Sequence, residues 1–375
     1  MTSVASIIQR AIASRAFPAA AIEVGRRDGV LWNAAFGRLT YAPDGAVTTP
    51  DTIFDLASLT KVIATATLMM RAVDDGVIGL EDSVADRLPG WRGADRQAVT
   101  VTDLLEHAAG LTAYLPFFRD HRGRAEFEHA ICTLPLEYAP RSRSIYSDLG
   151  FMLLAFILED AYRMRFAEQF NGVPGLAQKG PALDAAANRS DGRSMRDRRE
   201  PEGILGFRPR AEPSASEKTR FAPTELDLWR GRLLQGEVHD ENAWELGAAA
   251  GHAGLFATAA GVGRFARQML EGFAGRRLLA KPETLTRFAR QSTLPGSSRA
   301  LGWDTMLPSS SCGASLTPRA IGHTGFTGTS LWIDPGQDLY VVFLTNRVHP
   351  TRENNQIQEV RRAVHDAIAR EVCGL

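Results

Sequence analysis

The sequence has no excess of either charge, because 43 lysine and arginine residues balance 43 aspartate and glutamate residues. A nucleic-acid-binding protein normally carries a basic excess, so we do not expect that kind of partner. The chain also lacks a run of about 18 apolar residues, which a membrane-spanning helix requires. The 375 residues, 44% of them hydrophobic, are enough for one large globular domain or two intimate ones.

Cysteine is scarce, since Cys132, Cys312 and Cys373 lie far apart and form no C-x-x-C pair. They predict no disulfide framework and fit a reduced, cytoplasmic setting. The N-terminal stretch MTSVASIIQRAIASRAFPAA is interrupted by Arg10 and Arg15, so it lacks the apolar core of a signal peptide and predicts an amphipathic helix. A chain whose signal had been removed would look the same, so a periplasmic location stays open. The oligomeric state cannot be read from the sequence.

The order of the predicted elements indicates an α/β (α+β) fold. A hairpin is predicted in AAAIEVGRRDGVLWNAAFGRLT, and three β-type runs precede a closing helix. The two ends can therefore share one antiparallel sheet flanked by helices, with a helical region inserted between them. We predict a discontinuous sheet domain of residues 1–58 and 300–375 and a mainly helical region of residues 59–299. Within it, the Gly-, Pro-, Ser- and Arg-rich stretch 171–222 predicts a loop or lid.

The stretch FDLASLTK places Ser58 and Lys61 three residues apart at the start of an apolar helix predicted over residues 60–75. This spacing puts both side chains on one helical face. Unpaired N–H groups and the helix dipole favour negative charge on Ser58, which makes its hydroxyl a candidate nucleophile. If apolar neighbours desolvate Lys61, its ammonium form is disfavoured and the amine can take or relay the serine proton. Taken alone, the pattern also fits a helix cap followed by a surface lysine.

A second motif, IYSDLGF, places Tyr146 and Asp148 just before a predicted helix. A tyrosine held beside a lysine can act as a general base, because the positive charge stabilises its phenolate. The simpler alternative is a core tyrosine that caps the helix.

A third motif, GHTGFTGTSLWIDP, places His323 and Gly325 at the start of a predicted strand. The glycine would let a substrate carbonyl lie close to the strand edge. The N–H groups of Phe326 and Ser58 would then form an oxyanion hole. The simpler alternative is a Gly/Thr-rich bulge in an edge strand.

The three motifs resemble those of the serine β-lactamase and penicillin-binding protein superfamily. The class C branch, which includes family VIII carboxylesterases and D-amino-acid peptidases, is the most similar. That family carries S-x-x-K, then Y-x-N or a variant, then K-T-G or H-x-G. Here the motifs read SLTK at 58–61, YSD at 146–148 and HTG at 323–325, with separations (146 − 58 = 88 and 323 − 146 = 177) that suit this branch. The resemblance covers about residues 15–370 and implies a β-lactamase/transpeptidase-like fold.

The resemblance also implies a role for each matching residue. Ser58 would be acylated, and Lys61 and Tyr146 would share the role of base, with the proton acceptor left open. The N–H groups of Ser58 and Phe326 would bind the oxyanion. No metal and no cofactor is expected. The predicted substrate-binding residues are Asp148, His323, Thr324, Gly325 and Arg347.

Two positions depart from the lactamase pattern. Asp148 stands where an asparagine is usual, and His323 stands where a lysine is usual. Both changes reduce the attraction for an anionic β-lactam or peptide C-terminus, although Arg347 is a second candidate for binding an anion. We therefore expect a carboxylesterase that acts on small or short-chain esters. A class C-type β-lactamase, a D,D-peptidase or a D-amino-acid peptidase is the alternative, and a non-catalytic binding protein is a third.

Two further segments contain groups that metals or substrates could contact. GEVHDENAW gathers His239, Asp240, Glu241 and Asn242. Consecutive residues cannot all face one ion, so we predict a loop at the rim of the site rather than a metal site. His252, in GHAGLF, is predicted to be structural.

Overall fold

The computed structural model describes residues 1–176, 203–211 and 213–374. In chain order its strands are β1 (Ala19–Arg26), β2 (Gly29–Gly37), β3 (Phe54–Asp55), β4 (Leu205–Phe207), β5 (Leu226–Asp227), β6 (Arg232–Leu233), β7 (Leu255–Ala257), β8 (Asp304–Thr305), β9 (Ile321–Thr324), β10 (Ser330–Asp334) and β11 (Leu339–Thr345). The main sheet has six of these strands in the order β2-β1-β11-β10-β9-β8, and each neighbouring pair is antiparallel.

Helices occupy both ends and most of the middle of the described chain. No described helix is both long enough and apolar enough to cross a bilayer. In chain order the helices are α1 (Thr2–Ala13), α2 (Thr67–Asp74), α3 (Val84–Arg87), α4 (Val101–Leu105), α5 (Gly123–Thr133), α6 (Asp148–Tyr162), α7 (Phe166–Asn171), α8 (Ala215–Lys218), α9 (Glu241–Glu245), α10 (Ala259–Phe273), α11 (Pro282–Phe288) and α12 (Ile357–Cys373), with a π-helical segment at Lys61–Ala66 and a 3₁₀ turn at Phe117–Arg119.

The main sheet is covered by helices on both faces. Helices α1 and α12 pack together, and their apolar residues share a core with alternate residues of the sheet such as Ile22 and Phe343. Helix α10 packs on β1 and β11 from the other side. The run LYVVFLT of β11 is therefore buried along its whole length, as expected for a strand covered on both faces. The predicted fold, an antiparallel sheet flanked by helices, is confirmed.

Some local predictions need correction. The helix predicted over residues 60–75 begins as the π-helical segment, and the β-type run around His323 divides into β9 and β10. In the predicted lid, residues 205–207 form strand β4, which pairs with β7, because Leu205 and Phe207 are buried side chains that need a partner. The part of the lid between 177 and 202 lies outside the described residues. The division into two domains stays a prediction.

Candidate active site

Ser58 lies on a sharp turn between β3 and the π-helical segment. The preceding residue, Ala57, has a φ of 47°, a left-handed conformation that is uncommon for a residue with a side chain. The buried carboxylate of Asp55 holds this turn, since it accepts hydrogen bonds from the N–H groups of Ala57 at 2.8 Å and His239 at 2.7 Å. Burial raises the pKa of Asp55, and these two N–H groups oppose that effect. A strained backbone fixed by buried hydrogen bonds thus presents the serine.

Lys61 is completely buried directly beside Ser58. Its Nζ donates hydrogen bonds to Ser58 Oγ at 2.9 Å and to the carbonyl of His252 at 3.2 Å. The same nitrogen forms an ion pair with Asp148 Oδ1 at 2.6 Å. The structure therefore brings the predicted serine and lysine together, and it adds a carboxylate from the second motif to them.

Desolvation acts against the Lys61 ammonium as expected, but the pKa of Lys61 is raised overall rather than lowered. Burial alone would lower the pKa of Lys61, but the Asp148 carboxylate and Tyr146 together raise it above its usual value. A buried ammonium is stable when a carboxylate lies at contact distance. Lys61 is consequently charged at neutral pH and donates to Ser58 rather than accepting from it. One oxygen of Asp148, predicted to bind substrate, is already used in this pair.

The Tyr146 ring lies at the centre of the cluster. Its centroid is 4.8 Å from Lys61 Nζ, 4.7 Å from the ring of His107 and 5.7 Å from the ring of His323. Its hydroxyl contacts both Lys61 and Ser58. The second motif therefore reaches the serine through the tyrosine hydroxyl, as a general base or acid must.

Tyr146 is a neutral phenol at neutral pH. Burial raises the pKa of Tyr146, the Lys61 ammonium lowers it, and the Asp148 carboxylate raises it again, with a net shift upward. With Lys61 charged and Tyr146 neutral, neither group can accept the serine proton until the pair has lost one proton. We therefore expect kcat/KM for an ester to rise with pH above neutrality.

Replacing Asp148 by asparagine is expected to move this alkaline rise of kcat/KM to lower pH. The carboxylate raises the pKa of both Lys61 and Tyr146, so its removal lowers both, whichever group accepts the proton. The ratio of kcat/KM at pH 7 to that at pH 9 should increase at least about threefold. The measurement is a pH profile of p-nitrophenyl acetate hydrolysis. Asp120→Asn, at an exposed site, is the matched control, and a rise that stays in place or moves to higher pH contradicts the assignment.

His107, which the sequence analysis did not single out, holds the tyrosine loop. Its φ is 58°, and its Nδ1 accepts a hydrogen bond from the N–H of Ser147 at 3.0 Å. Burial, with help from Arg299 and Lys61, lowers the pKa of His107 well below its usual value, so the imidazole is neutral. The segment LLEHAAGL contains no catalytic motif, so the sequence gives no reason to assign His107 to the site. Its left-handed backbone conformation is seen only in the structure.

The turn between β9 and β10 is fastened to the nucleophile turn. Thr327 Oγ1 donates to the carbonyl of Asp55 at 2.7 Å, and Thr329 Oγ1 donates to the carbonyl of Leu56 at 2.9 Å. Within the described residues, the backbone N–H groups of Ser58 and Phe326 have no hydrogen-bond partner. Two unpaired donors beside a candidate nucleophile have the character of an oxyanion hole.

Gly325 packs closely against the backbone of the nucleophile turn. A side chain at this position would collide with the Leu56 carbonyl and the Thr329 hydroxyl. The glycine therefore lets the strand end approach the nucleophile turn, and its role toward a substrate carbonyl stays a prediction.

His323 places a neutral imidazole rather than a cation beside the cleft. Its Nδ1 lies 2.8 Å from the carbonyl of Thr324, so this nitrogen carries the hydrogen and donates it. Burial first, and then Arg299 and Lys61, lower the pKa of His323 well below its usual value. The imidazole is thus neutral, with no described partner for Nε2.

Arg347 supports Phe326. Its Nε donates to the Phe326 carbonyl at 2.8 Å, and its guanidinium carbon lies 4.4 Å from the centroid of the Phe326 ring. Nη1 donates to the carbonyls of Arg352 and Asn354. Most of the N–H donors of Arg347 are thus already bonded to backbone carbonyls. Its binding of a substrate anion stays a prediction.

These groups open into a cleft of about 680 Å³. His239, Asp240 and Glu241 also line it, but Asp240 Oδ1 pairs with His252 Nε2 at 2.9 Å and caps α9. No group of three metal-ligating side chains occurs among the described residues. The roles predicted for the site residues stay predictions. Of the predicted residues, those lining the cleft are Ser58, Tyr146, Asp148, His323, Thr324, Gly325, Phe326 and Arg347.

A helix-covered antiparallel sheet, beside which a half-buried serine contacts a buried lysine and a half-buried tyrosine, is the arrangement expected of a serine enzyme that forms an acyl intermediate. The model of the Beta-lactamase family matches residues 4–365, so the chain belongs to that family and is a serine hydrolase. A relative from Salmonella gallinarum (strain 287/91 / NCTC 13346), named "Putative D-alanyl-D-alanine carboxypeptidase", is 31% identical over 337 residues. The match covers 82% of this chain and 72% of the relative.

Solved structures show the same fold at low sequence identity. A penicillin-binding protein homologue from Caulobacter crescentus has a TM-score of 0.70 at 18% identity, covering 98% of this chain and 97% of its own. EstCE1, described as a hydrolase with promiscuous acyltransferase activity, has a TM-score of 0.69 at 19% identity, covering 97% of this chain and 98% of its own. The fold thus occurs with several activities, and the substrate must be argued from the cleft.

Proposed function

We propose that the protein is a carboxylesterase that cleaves short-chain esters through an acyl-enzyme on Ser58. The observation that carries this proposal is the hydrogen bond of 2.9 Å between Lys61 Nζ and Ser58 Oγ, with the Tyr146 hydroxyl in contact with both. A serine is a weak nucleophile unless a neighbouring group can remove its proton.

The proposed reaction has two steps. Once the Lys61–Tyr146 pair has lost a proton, it takes the proton of Ser58 while Oγ attacks the ester carbonyl. The N–H groups of Ser58 and Phe326 receive the oxyanion, and the same pair returns the proton to the departing alcohol. A water molecule then gives a proton to the pair and attacks the acyl-enzyme carbonyl. The bond between the acyl carbon and Oγ breaks, the pair returns that proton to Ser58 Oγ, and the acid leaves.

The charges of the cleft support an ester whose acyl part is uncharged. His323 is neutral, and the carboxylate of Asp148 is neutralised by Lys61. A D-alanyl-D-alanine carboxypeptidase is the second candidate, because a relative with 31% identity bears the name "Putative D-alanyl-D-alanine carboxypeptidase" and because Arg299, in the cleft, has no ion-pair partner among the described residues.

A substrate panel tests the proposal. Purified protein would be assayed with p-nitrophenyl acetate and butyrate, the cephalosporin nitrocefin, and diacetyl-L-lysyl-D-alanyl-D-alanine. We expect kcat/KM for the acetate ester to exceed that for nitrocefin by about 100-fold or more, since a difference of about 2.7 kcal/mol is within the reach of substrate-binding contacts. Nitrocefin turnover or D-alanine release at a rate that rivals ester cleavage would replace the esterase by the second candidate or by a β-lactamase.

A further inference from the structure

Arg361, in helix α12, is a buried cation that forms no ion pair with any carboxylate of the described residues. Its Nη2 instead donates hydrogen bonds to two backbone carbonyls, those of Gly325 at 2.9 Å and Thr329 at 2.8 Å. Burial and the charge of Arg347 lower the pKa of Arg361 to about 9, so the guanidinium is still a cation at neutral pH. Because a buried charge without a counter-ion is costly, the role of these two bonds needs an explanation.

The two carbonyls are paired even without Arg361. The Gly325 carbonyl also accepts a hydrogen bond from the N–H of Gly328 at 3.1 Å, and the Thr329 carbonyl accepts one from the N–H of Gly325 at 2.7 Å. The turn between β9 and β10 is therefore closed by its own backbone. A carbonyl oxygen can accept two hydrogen bonds, and Arg361 supplies the second, charged one to each.

The Gly325 carbonyl belongs to the same peptide unit as the N–H of Phe326. Resonance joins the oxygen and the nitrogen of a peptide unit, so a cation bonded to the oxygen withdraws electron density from the N–H. The Phe326 N–H becomes a stronger donor, and the planar unit fixes its direction. This N–H is one of the two donors of the predicted oxyanion hole.

The N–H of Ser58, the other predicted donor, is supported by backbone instead. The carbonyl of its peptide unit, that of Ala57, accepts a hydrogen bond from the N–H of Thr60 at 3.0 Å. Ser58 also lies just before the helical segment that begins at Lys61, where a helix dipole favours negative charge. Phe326 lies in a turn between two strands, and Arg361 supplies positive charge there.

We propose that Arg361 is a positioning residue for the oxyanion hole, which orients and polarises the peptide unit between Gly325 and Phe326 so that the Phe326 N–H stabilises the oxyanion. This inference rests on the proposed acyl-enzyme function and deepens it, because it names the group that strengthens one donor. Arg361 acts through the peptide unit and needs no contact with the reacting atoms.

Replacing Arg361 by methionine is expected to lower kcat/KM for p-nitrophenyl acetate by about 10- to 100-fold, somewhat less than the loss of a complete oxyanion-hole donor. This ester is uncharged, which matters because Arg361 also borders the cleft. Arg361→Lys keeps the positive charge and should recover part of the rate. Arg362→Met is the matched control, since Arg362 also donates to two backbone carbonyls, those of Ser310 and Pro308, and it should keep the wild-type rate.

A comparison with p-nitrophenyl thionoacetate separates oxyanion stabilisation from general damage. The two esters differ only in the atom that becomes the anion, and sulfur accepts hydrogen bonds more weakly than oxygen. Each kcat/KM would be normalised to the rate of hydroxide-catalysed hydrolysis of that ester. In Arg361→Met the oxygen-to-sulfur ratio should fall at least about threefold, because the polarised donor favours oxygen. A folding defect lowers both rates together, so an unchanged ratio in Arg361→Met overturns the inference.

Failure of the proposed function gives a different result. If the wild type cleaves neither ester, the esterase proposal fails, and the peptide unit is then measured by NMR. With ¹³C in the glycine carbonyls and ¹⁵N in phenylalanine, the Gly–Phe pairs of the sequence give correlated signals, and these pairs are 150–151, 206–207, 272–273 and 325–326.

The 325–326 signal is identified by its loss in Phe326→Leu. In Arg361→Met its carbonyl resonance should move upfield, because the carbonyl loses a charged donor, and the other Gly–Phe signals should stay in place. That selective shift supports the inference, and a 325–326 signal that does not move overturns it.

Discussion

Replacing Ser58 by alanine is expected to lower kcat/KM for p-nitrophenyl acetate by at least about 10⁴-fold. The substitution removes only Oγ, so the turn held by Asp55 and the ion pair between Lys61 and Asp148 stay in place. The neighbouring base then has no hydroxyl to activate. Any remaining rate would come from oxyanion stabilisation and binding, which act on a water molecule. The measurement is steady-state hydrolysis, with the thermal unfolding midpoint recorded to show that the variant is folded.

Two controls accompany this variant. Ser142→Ala removes an exposed hydroxyl that bonds only to a nearby carbonyl, and it should hydrolyse the ester like the wild type. A fluorophosphonate probe should label the wild type at Ser58 and leave Ser58→Ala unlabelled. Ester cleavage that survives in the alanine variant would show that another group performs the reaction, and absence of labelling in the wild type would favour a non-catalytic binding protein.

Replacing Tyr146 by phenylalanine is expected to lower kcat/KM by about 10²- to 10⁴-fold, the range usual for loss of a general acid–base group. The phenyl ring keeps the contacts with His107 and His323, so the loss reports the hydroxyl alone. Lys61 is held as an ammonium by Asp148 and lacks a lone pair for the serine proton. Once the pair has lost a proton, the phenolate of Tyr146 is therefore the group best placed to accept the serine proton and return it.

The size of the loss distinguishes the two candidates for the base. A loss of less than about tenfold would mean that Lys61 removes the serine proton by itself after losing its own. Tyr162→Phe, which removes a hydroxyl near exposed Asp75, is the matched control and should leave the rate unchanged. The alkaline rise of kcat/KM should also be weaker in Tyr146→Phe, because one of the two titrating groups has been removed.

The sheet and the three motifs could be predicted because their signals are local. Alternating and continuous apolar runs mark β1 and β11, and the spacing of Ser58 and Lys61 follows from a single helical turn. The π-helical form of the segment Lys61–Ala66 that follows could not be predicted, because no residue type specifies it. In β4, burial of Leu205 and Phe207 outweighed a local composition typical of loops.

The electrostatics of the site could not be read from the motifs. Asp148 stands where an asparagine is usual in the family, yet the change alone does not show that its carboxylate would lie 2.6 Å from Lys61. That distance inverts the predicted effect on the pKa of Lys61. Arg299 was missed for a similar reason. Its position over Tyr146 depends on packing between segments 153 residues apart (299 − 146), for which a single sequence holds no signal.

The main sheet joins strands from both ends of the chain, and this has a consequence for how activity arises during synthesis. The two residues predicted to form the oxyanion hole, Ser58 and Phe326, are separated by 268 residues (326 − 58). Contacts of such high sequence separation form late and slowly, because loop closure must precede them. A nascent chain therefore carries its nucleophile long before it can stabilise an oxyanion. We therefore expect hydrolytic activity only after the last strands have joined the sheet, and the chain is inactive until its fold is complete.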